Sequence, residues 1–184
     1  MKFEDAVVFV MRYEVGPWFL LDAETRAGLC SNHAQMRKTG YVNDPADAGG
    51  ETKFGIAKNS NPSVNIKTLT WDQAKAIYKS KYWDPLQLDK LPPKVAVLIF
   101  DCSVNHGPKQ AAKFLQGTVG ATEDGQVGPK TIAAVCAASE KDVVAKVLNR
   151  RRMFFKYLVL NKPLNIRFLK GWLARCDDLE KFLK

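Results

Sequence analysis

Glu14 closes a stripe of apolar residues, Phe3, Val7 and Val10, spaced as one face of an amphipathic helix, and the helical periodicity fails immediately after it. A carboxyl group at the end of a buried face, beside a glycine-rich loop, is partly desolvated, which raises its pKa toward the range of a general acid. The plainer alternative is a solvated glutamate at a helix end. Asp44, Asp47, Glu51 and Thr52 follow in the run GYVNDPADAGGETKFG, which a short connection would lay over that helix end. Acidic residues in such segments commonly serve as caps or close Asx-turns, so their presence alone does not make a site. The chain has no phosphate-binding glycine loop, no nucleophile elbow and no cluster of metal-ligand residues, so its chemistry falls to carboxylates and no cofactor or metal is expected.

These groups must be positioned by helices. From Val15 to about Ser63 turns dominate, with a short hairpin expected within residues 40–58. Thr70-Trp71-Asp72-Gln73 has the form of a capping box, opening a helix that runs to Asp84-Pro85. KVAVLIFDCSVN after Pro92-Pro93 is apolar on nearly every side and is expected to be the central helix. Gly107-Pro108 ends it and begins a helix expected to stop near Gly117, and further helices start at Pro129, at Asp142 and after Asn161 to Pro163. Almost no strand is expected, and the fold class is mainly α.

The 184 residues are enough for one domain, with 46% hydrophobic and 26% charged residues, a composition that excludes a disordered chain or a coiled-coil rod. The net charge of +9 points to an anionic partner: nucleic acid, a phospholipid surface or a wall polymer. The charge is concentrated late, since residues 150–184 hold ten Lys and Arg against three Asp and Glu. That segment has three readings: attraction to an anionic envelope, an amphipathic helix lying on a membrane, or a solvated helix face. Cys30, Cys102, Cys136 and Cys176 are widely spaced, with no C-x-x-C pair, and read as reduced thiols of a protein made in a cytosol. Glu4 and Asp5 stand where a secretory leader needs a basic start, so no leader is expected. The apolar run Val95 to Phe100 is far shorter than the roughly 20 residues of a membrane span.

The run from Gly40-Tyr41-Val42-Asn43-Asp44-Pro45 through Asp47, Gly49-Gly50-Glu51-Thr52 and Gly55-Ile56 resembles the signature of the glycoside hydrolase family 108 endolysins, phage-type muramidases of the lysozyme superfamily. Tyr82-Trp83, Phe100-Asp101, Val104-Asn105-His106-Gly107, Leu115-Gln116, Asp124-Gly125, Val127-Gly128-Pro129 and Phe168-Leu169-Lys170-Gly171-Trp172 are similar to that family in order and spacing. The latter half, about 96–180, resembles the peptidoglycan-binding region of such enzymes. The resemblance implies a two-lobed lysozyme-like fold, with a catalytic region over 1–95 and a helical region over 96–184 packed into the same globule.

One departure stands out. In the family a Glu-Gly-Gly-Tyr sequence joins the first helix directly to the Asn-Asp-Pro turn, whereas here residues 17–39 intervene and are expected to form a flap or lid. Glu14 and Asp47 are 33 positions apart, and removing about two dozen inserted residues restores the family's short interval. By resemblance Glu14, Asp47 and Thr52 take the catalytic roles, with inserted Asp22 or Glu24 as alternatives. Glycoside cleavage needs a proton for the leaving oxygen and a carboxylate that orients water or supports an oxocarbenium-like transition state. Glu14 would give the proton, Asp47 would act on water or the cation, and Thr52 would hold the water, with inversion favoured. Tyr41 and Asn43 would line the cleft. Asn105 and His106 would reach a saccharide amide or hydroxyl, or cap their helix. Trp18 and Phe19 would form a sugar-stacking lip or fasten the insert, Trp83, Phe114 and Trp172 are expected in the core, and His33 at the surface.

The sequence is thus expected to encode an endolysin that cuts the β-1,4 bond between N-acetylmuramic acid and N-acetylglucosamine for host lysis, made in the host cytoplasm and released to the wall through a holin pore. Its partner is peptidoglycan, with an anionic envelope surface engaged by the basic carboxyl-terminal region, no nucleic acid, and a monomeric state. The rivals are a lytic transglycosylase and a non-enzymatic basic module that binds envelope or nucleic acid.

Overall fold

A computed structural model describes residues 1–15, 41–43 and 50–184, with the side chain of Val42 excepted. Trp18, Phe19, Asp22, Glu24, Cys30, His33, the lid expected over 17–39, Asp44 and Asp47 lie outside the described residues. Two compact units are formed, Val7–Lys79 and Met1–Ala6 with Ser80–Lys184.

The Val7–Lys79 unit contains most of α1 (Phe3–Glu14). Val7, Phe9, Val10 and Met11 are buried while Arg12, Tyr13 and Glu14 are exposed. The apolar face therefore ends one turn before Glu14, which corrects the expectation of a partly desolvated carboxyl: Glu14 projects from the exposed last turn. Three two-residue strands follow, β1 (Tyr41–Val42), β2 (Thr52–Lys53) and β3 (Ile56–Ala57), in an antiparallel sheet of order β1-β2-β3. Val42 pairs with Thr52, and Lys53 pairs with Ile56 across a two-residue loop. Both loop residues have left-handed backbones, Phe54 at φ 52° and Gly55 at φ 74°, the type I′ geometry whose twist matches a tight hairpin. Then α2 (Trp71–Tyr78) starts at the expected capping box, with Thr70 Oγ1 accepting from the Gln73 amide and Gln73 Oε1 accepting from the Thr70 amide.

In the larger unit the chain leaves α2 through a π-helical turn, Lys79–Trp83, that delivers Trp83 into the core. The Trp83 ring meets Phe3 and Phe100 edge-on, with centroids 5.4 and 5.6 Å away. Helix α3 (Pro93–His106) is buried continuously from Val95 to Ser103, as its all-round apolar sequence requires. Around it stand α4 (Pro108–Val119), α5 (Pro129–Ala137), α6 (Glu140–Asn161) and α7 (Ile166–Phe182). The α4 helix does not end at Gly117. It continues to Val119 and is capped by left-handed Gly120 at φ 71°. Gly117 lies within the helix, beneath the exposed ion pair of Glu123 and Arg150. Ser139 caps α6, its hydroxyl accepting from the Asp142 amide, so that helix begins at Glu140, two residues earlier than expected.

Trp83 and Phe114 are core aromatics, but Trp172 is half-buried, stacked between Phe155 at 4.9 Å and Phe168 at 5.7 Å. Cys102 and Cys176 are buried free thiols, and Cys136 is free and exposed. Among the described residues no helix is long and apolar enough to cross a membrane, and no group of His, Cys, Asp and Glu is arranged to hold a metal ion.

Candidate functional site

Glu14, Tyr41, Asn43 and Thr52 all belong to the Val7–Lys79 unit. Gly55 is where the end of α1 and the β2–β3 hairpin come together. A Cβ built on Gly55 would stand 3.2 Å from the Glu14 Cβ and 2.5 Å from the Tyr78 hydroxyl. The hairpin tip therefore lies directly against the base of the Glu14 side chain, and only glycine combines this contact with a positive φ. Tyr78, buried on α2, donates its hydroxyl to the Phe54 carbonyl at 3.1 Å, and the Phe54 ring meets Trp71 of α2 edge-on at 5.6 Å. The short α2 helix thus clamps the hairpin against the glutamate.

On β2, Thr52 donates its hydroxyl to the Gly50 carbonyl at 3.3 Å, which leaves the oxygen lone pairs available to a water. Beside it Tyr41 donates its hydroxyl to Glu51 Oε1 at 3.0 Å, and partial burial together with the Glu51 carboxylate raises the phenol pKa. Glu51 was grouped with the turn acids in the sequence. In the structure it is the described carboxylate beside Thr52, and it is engaged by Tyr41. Asn43 is exposed just past β1. Tyr78 was missed by the sequence reading, since nothing local marks a buried tyrosine as a clamp for a loop 24 residues away.

Asn105 and His106 lie in the other unit, at the last turn of α3. Asn105 is exposed. The His106 ring is packed among Phe114, Phe154 and Phe155, with centroids 5.5, 5.4 and 5.0 Å away. Its Nε2 accepts a hydrogen bond from Arg151 Nε at 3.1 Å, which assigns the proton of the neutral ring to Nδ1. Burial first and the Arg151 charge second push its pKa down to about 3.

Behind His106 stands a buried ion network. Asp101, sequestered in the middle of α3, receives Arg151 Nη1 on Oδ2 at 2.6 Å and Arg175 Nη2 on Oδ1 at 2.7 Å. Burial alone would raise the Asp101 carboxyl, but the charges and hydrogen bonds of Arg151 and Arg175 outweigh it and hold the carboxyl below the ordinary range. A second polar unit fixes the loop after α4. Buried Gln116 donates Nε2 to Asp124 Oδ1 at 2.7 Å and to the Gln126 carbonyl at 2.9 Å, and its Oε1 accepts from the Gly125 amide at 2.9 Å.

Residues 32–107 match the family Glycosyl hydrolase 108. Residues 110–177 match the Predicted Peptidoglycan domain. The chain is also similar to the structure of Brucella abortus SagA, at 30% identity and a TM-score of 0.64, over 78% of this chain and 84% of that one. The chain belongs to the glycosyl hydrolase 108 family. It is accordingly a glycoside hydrolase with a lysozyme-like helical fold, a peptidoglycan-binding region and peptidoglycan as its partner. No curated protein matches the chain. Within the family-matched span the hydrolase carries Thr52, Gly55 and Tyr78, while α1 with Glu14 precedes it.

Proposed function

We propose that this hydrolase cleaves the β-1,4 bond between N-acetylmuramic acid and N-acetylglucosamine, with Glu14 as proton donor. Asp47 supplies the second carboxylate, and Thr52 holds the attacking water, giving inversion. Tyr41, Asn43 and Asn105 contact the glycan, and His106 supports the helix end that carries Asn105. What supports this reading is the packing of the hairpin tip against the base of Glu14 at Gly55, since the first strand of that hairpin bears Thr52. A glutamate on a rigid helix and a hydroxyl on a braced strand suit a reaction whose catalytic groups must keep their spacing.

In this reading residues 1–95 hold the chemistry and residues 96–184 hold the wall. The excess cationic charge of residues 150–184 draws the enzyme to an anionic envelope, and it acts as a monomer. The biological setting is host-cell lysis by an endolysin made in the host cytoplasm and released to the wall through a holin pore.

The test is digestion of purified peptidoglycan by wild type and by Glu14→Gln, with the new saccharide ends identified by mass spectrometry. Reducing muramic acid ends made by wild type alone support the proposal. Anhydro ends would replace it with a lytic transglycosylase, and equal product from both proteins would remove Glu14 from the mechanism.

A further inference from the structure

Six large apolar side chains with substantial exposure fall in one stretch of 16 residues: Met153, Tyr157, Leu160, Leu164, Ile166 and Phe168. Leu160 is 80% exposed and Leu164 72%, values at which nothing among the described residues covers them. Leu160, Leu164, Ile166 and Phe168 lie where α6 ends, the 3-10 turn Pro163–Asn165 follows and α7 begins, and Met153 and Tyr157 precede them on α6 at helical spacing. Loose chain ends often expose leucines, but this junction is stitched. Asn161 Nδ2 donates to the Tyr157 carbonyl at 2.8 Å, Asn165 Nδ2 to the Leu158 carbonyl at 3.2 Å, and the Asn165 amide to the Lys162 carbonyl at 2.9 Å. The fold therefore holds apolar side chains out in water, and a concentration of them in so short a stretch marks a surface meant to be covered.

The charges around it say what covers it. No Asp or Glu occurs between Asp142 and Asp177, while Lys156, Lys162, Arg167 and Lys170 flank the apolar tip and are all exposed. Arg167 lies 4.6 Å over the Phe168 ring, so its charge stays beside the apolar surface. A second copy of this chain docking through the same face would bring four like charges from each copy, eight in all, to the contact. A glycan strand offers hydroxyl and amide groups, which aliphatic leucine and isoleucine side chains cannot satisfy. An anionic phospholipid leaflet meets both requirements at once: acyl chains for Leu160, Leu164 and Ile166, and phosphate groups for the surrounding cations. Tyr157 and Phe168 suit the headgroup boundary between the two.

We propose that the α6–α7 junction is a membrane-docking tip that inserts into an anionic leaflet. It deepens the attraction to an anionic envelope proposed above but does not depend on the bond the enzyme cuts. It implies that the hydrolase, once across or beside a bilayer, works from the membrane surface on adjacent wall.

The probes are vesicles of equal parts phosphatidylglycerol and phosphatidylethanolamine, and vesicles of phosphatidylcholine alone, tested by flotation with the full chain. Wild type should float with the anionic vesicles and not with the zwitterionic ones, with binding that weakens as salt rises. Leu160→Asp with Leu164→Asp should reduce anionic-vesicle partition by at least about a hundredfold, the smallest loss expected from withdrawing two leucines from an apolar phase. Both side chains are exposed, so this variant should keep the wild-type circular dichroism spectrum and melting temperature. An L164W variant should show blue-shifted emission and quenching by brominated acyl chains. Equal flotation of wild type and the double variant, or an L164W spectrum unchanged by vesicles, would overturn insertion. So would binding to isolated sacculi, or self-association, that the double variant loses while vesicle binding persists. Failure of peptidoglycan digestion alongside normal flotation would count against the proposed reaction and not against the tip.

Discussion

Arg151 reaches from α6 to within 2.6 Å of Asp101 on α3, and neither side chain is exposed to solvent. Arg175 of α7 closes on the other carboxylate oxygen, so one acid ties together the three helices that form the centre of the larger unit. Removing the carboxylate leaves two buried guanidinium groups without compensation, which costs more than the intact group contributes. Asp101→Asn should destabilise the fold by about 3–5 kcal/mol, measured by urea denaturation. Arg151→Met, which leaves Asp101 paired with Arg175, should cost less than Asp101→Asn, and the two losses should not add in the double variant; additive losses would show that the two residues are not coupled.

Acid should loosen the same region before most carboxylates are neutralised. The pKa of His106 falls from 6.5 to about 3 on folding, so between those values the unfolded chain binds a proton that the native state refuses. The stabilisation is therefore fully present above pH 6.5 and is lost progressively as pH drops toward 3. Asp101, whose pKa is also held low, acts in the same direction at more acid pH. Thermal midpoints should fall between pH 7 and pH 4, and His106→Leu, although less stable at neutral pH, should show a flatter slope over that interval.

Gly55 couples the scaffold to the proposed chemistry. Gly55→Ala adds a methyl group toward the Tyr78 hydroxyl and the Glu14 Cβ, at a positive φ that L-residues resist. It should cost about 1–3 kcal/mol of stability, read as a shift in melting temperature. It should also lower the turnover of peptidoglycan under conditions where the protein remains folded. Activity equal to wild type would mean that the hairpin need not hold its place against Glu14.

Thr52 offers a finer test. Thr52→Val removes the hydroxyl while keeping the shape, and if Thr52 holds water it should reduce kcat about 10- to 100-fold with little change in KM. Thr52→Ser, which keeps the hydroxyl, should recover most of the loss. A KM effect alone would make Thr52 a glycan contact.

The features legible in the sequence were those written locally. The Thr70–Gln73 capping box, the all-round apolar face of α3 and the Gly107-Pro108 boundary each depend on a few neighbouring residues, and each stands where it was expected. The carboxyl-terminal charge was less transparent. Arg151 and Arg175 were counted with a basic surface, yet they are core residues whose partner lies 50 and 74 positions earlier. An aspartate amid KVAVLIFDCSVN was the available signal, because a carboxylate buried on all sides requires cations from elsewhere. The end of the apolar face of α1 was set one turn too late for a similar reason: periodicity marks a face but not where its cover stops. Glycine's role at 55 was invisible for want of any local sign of Tyr78, whose hydroxyl arrives from another element.

The buried thiols give the fold a clock. Cys102 and Cys176 are without solvent contact, and burial pushes the Cys102 thiol up to about 12, so the reactive thiolate is scarce and shielded while α3 and α7 remain packed. In a Cys30→Ser, Cys136→Ser background, alkylation of either thiol can proceed only through opening of the helical core. The rate of modification then measures how often that core opens under native conditions, long before any cooperative unfolding is visible. If Cys176 reacts faster than Cys102, α7 detaches as a unit while α3 stays in place. The carboxyl-terminal helix would then open before the central one.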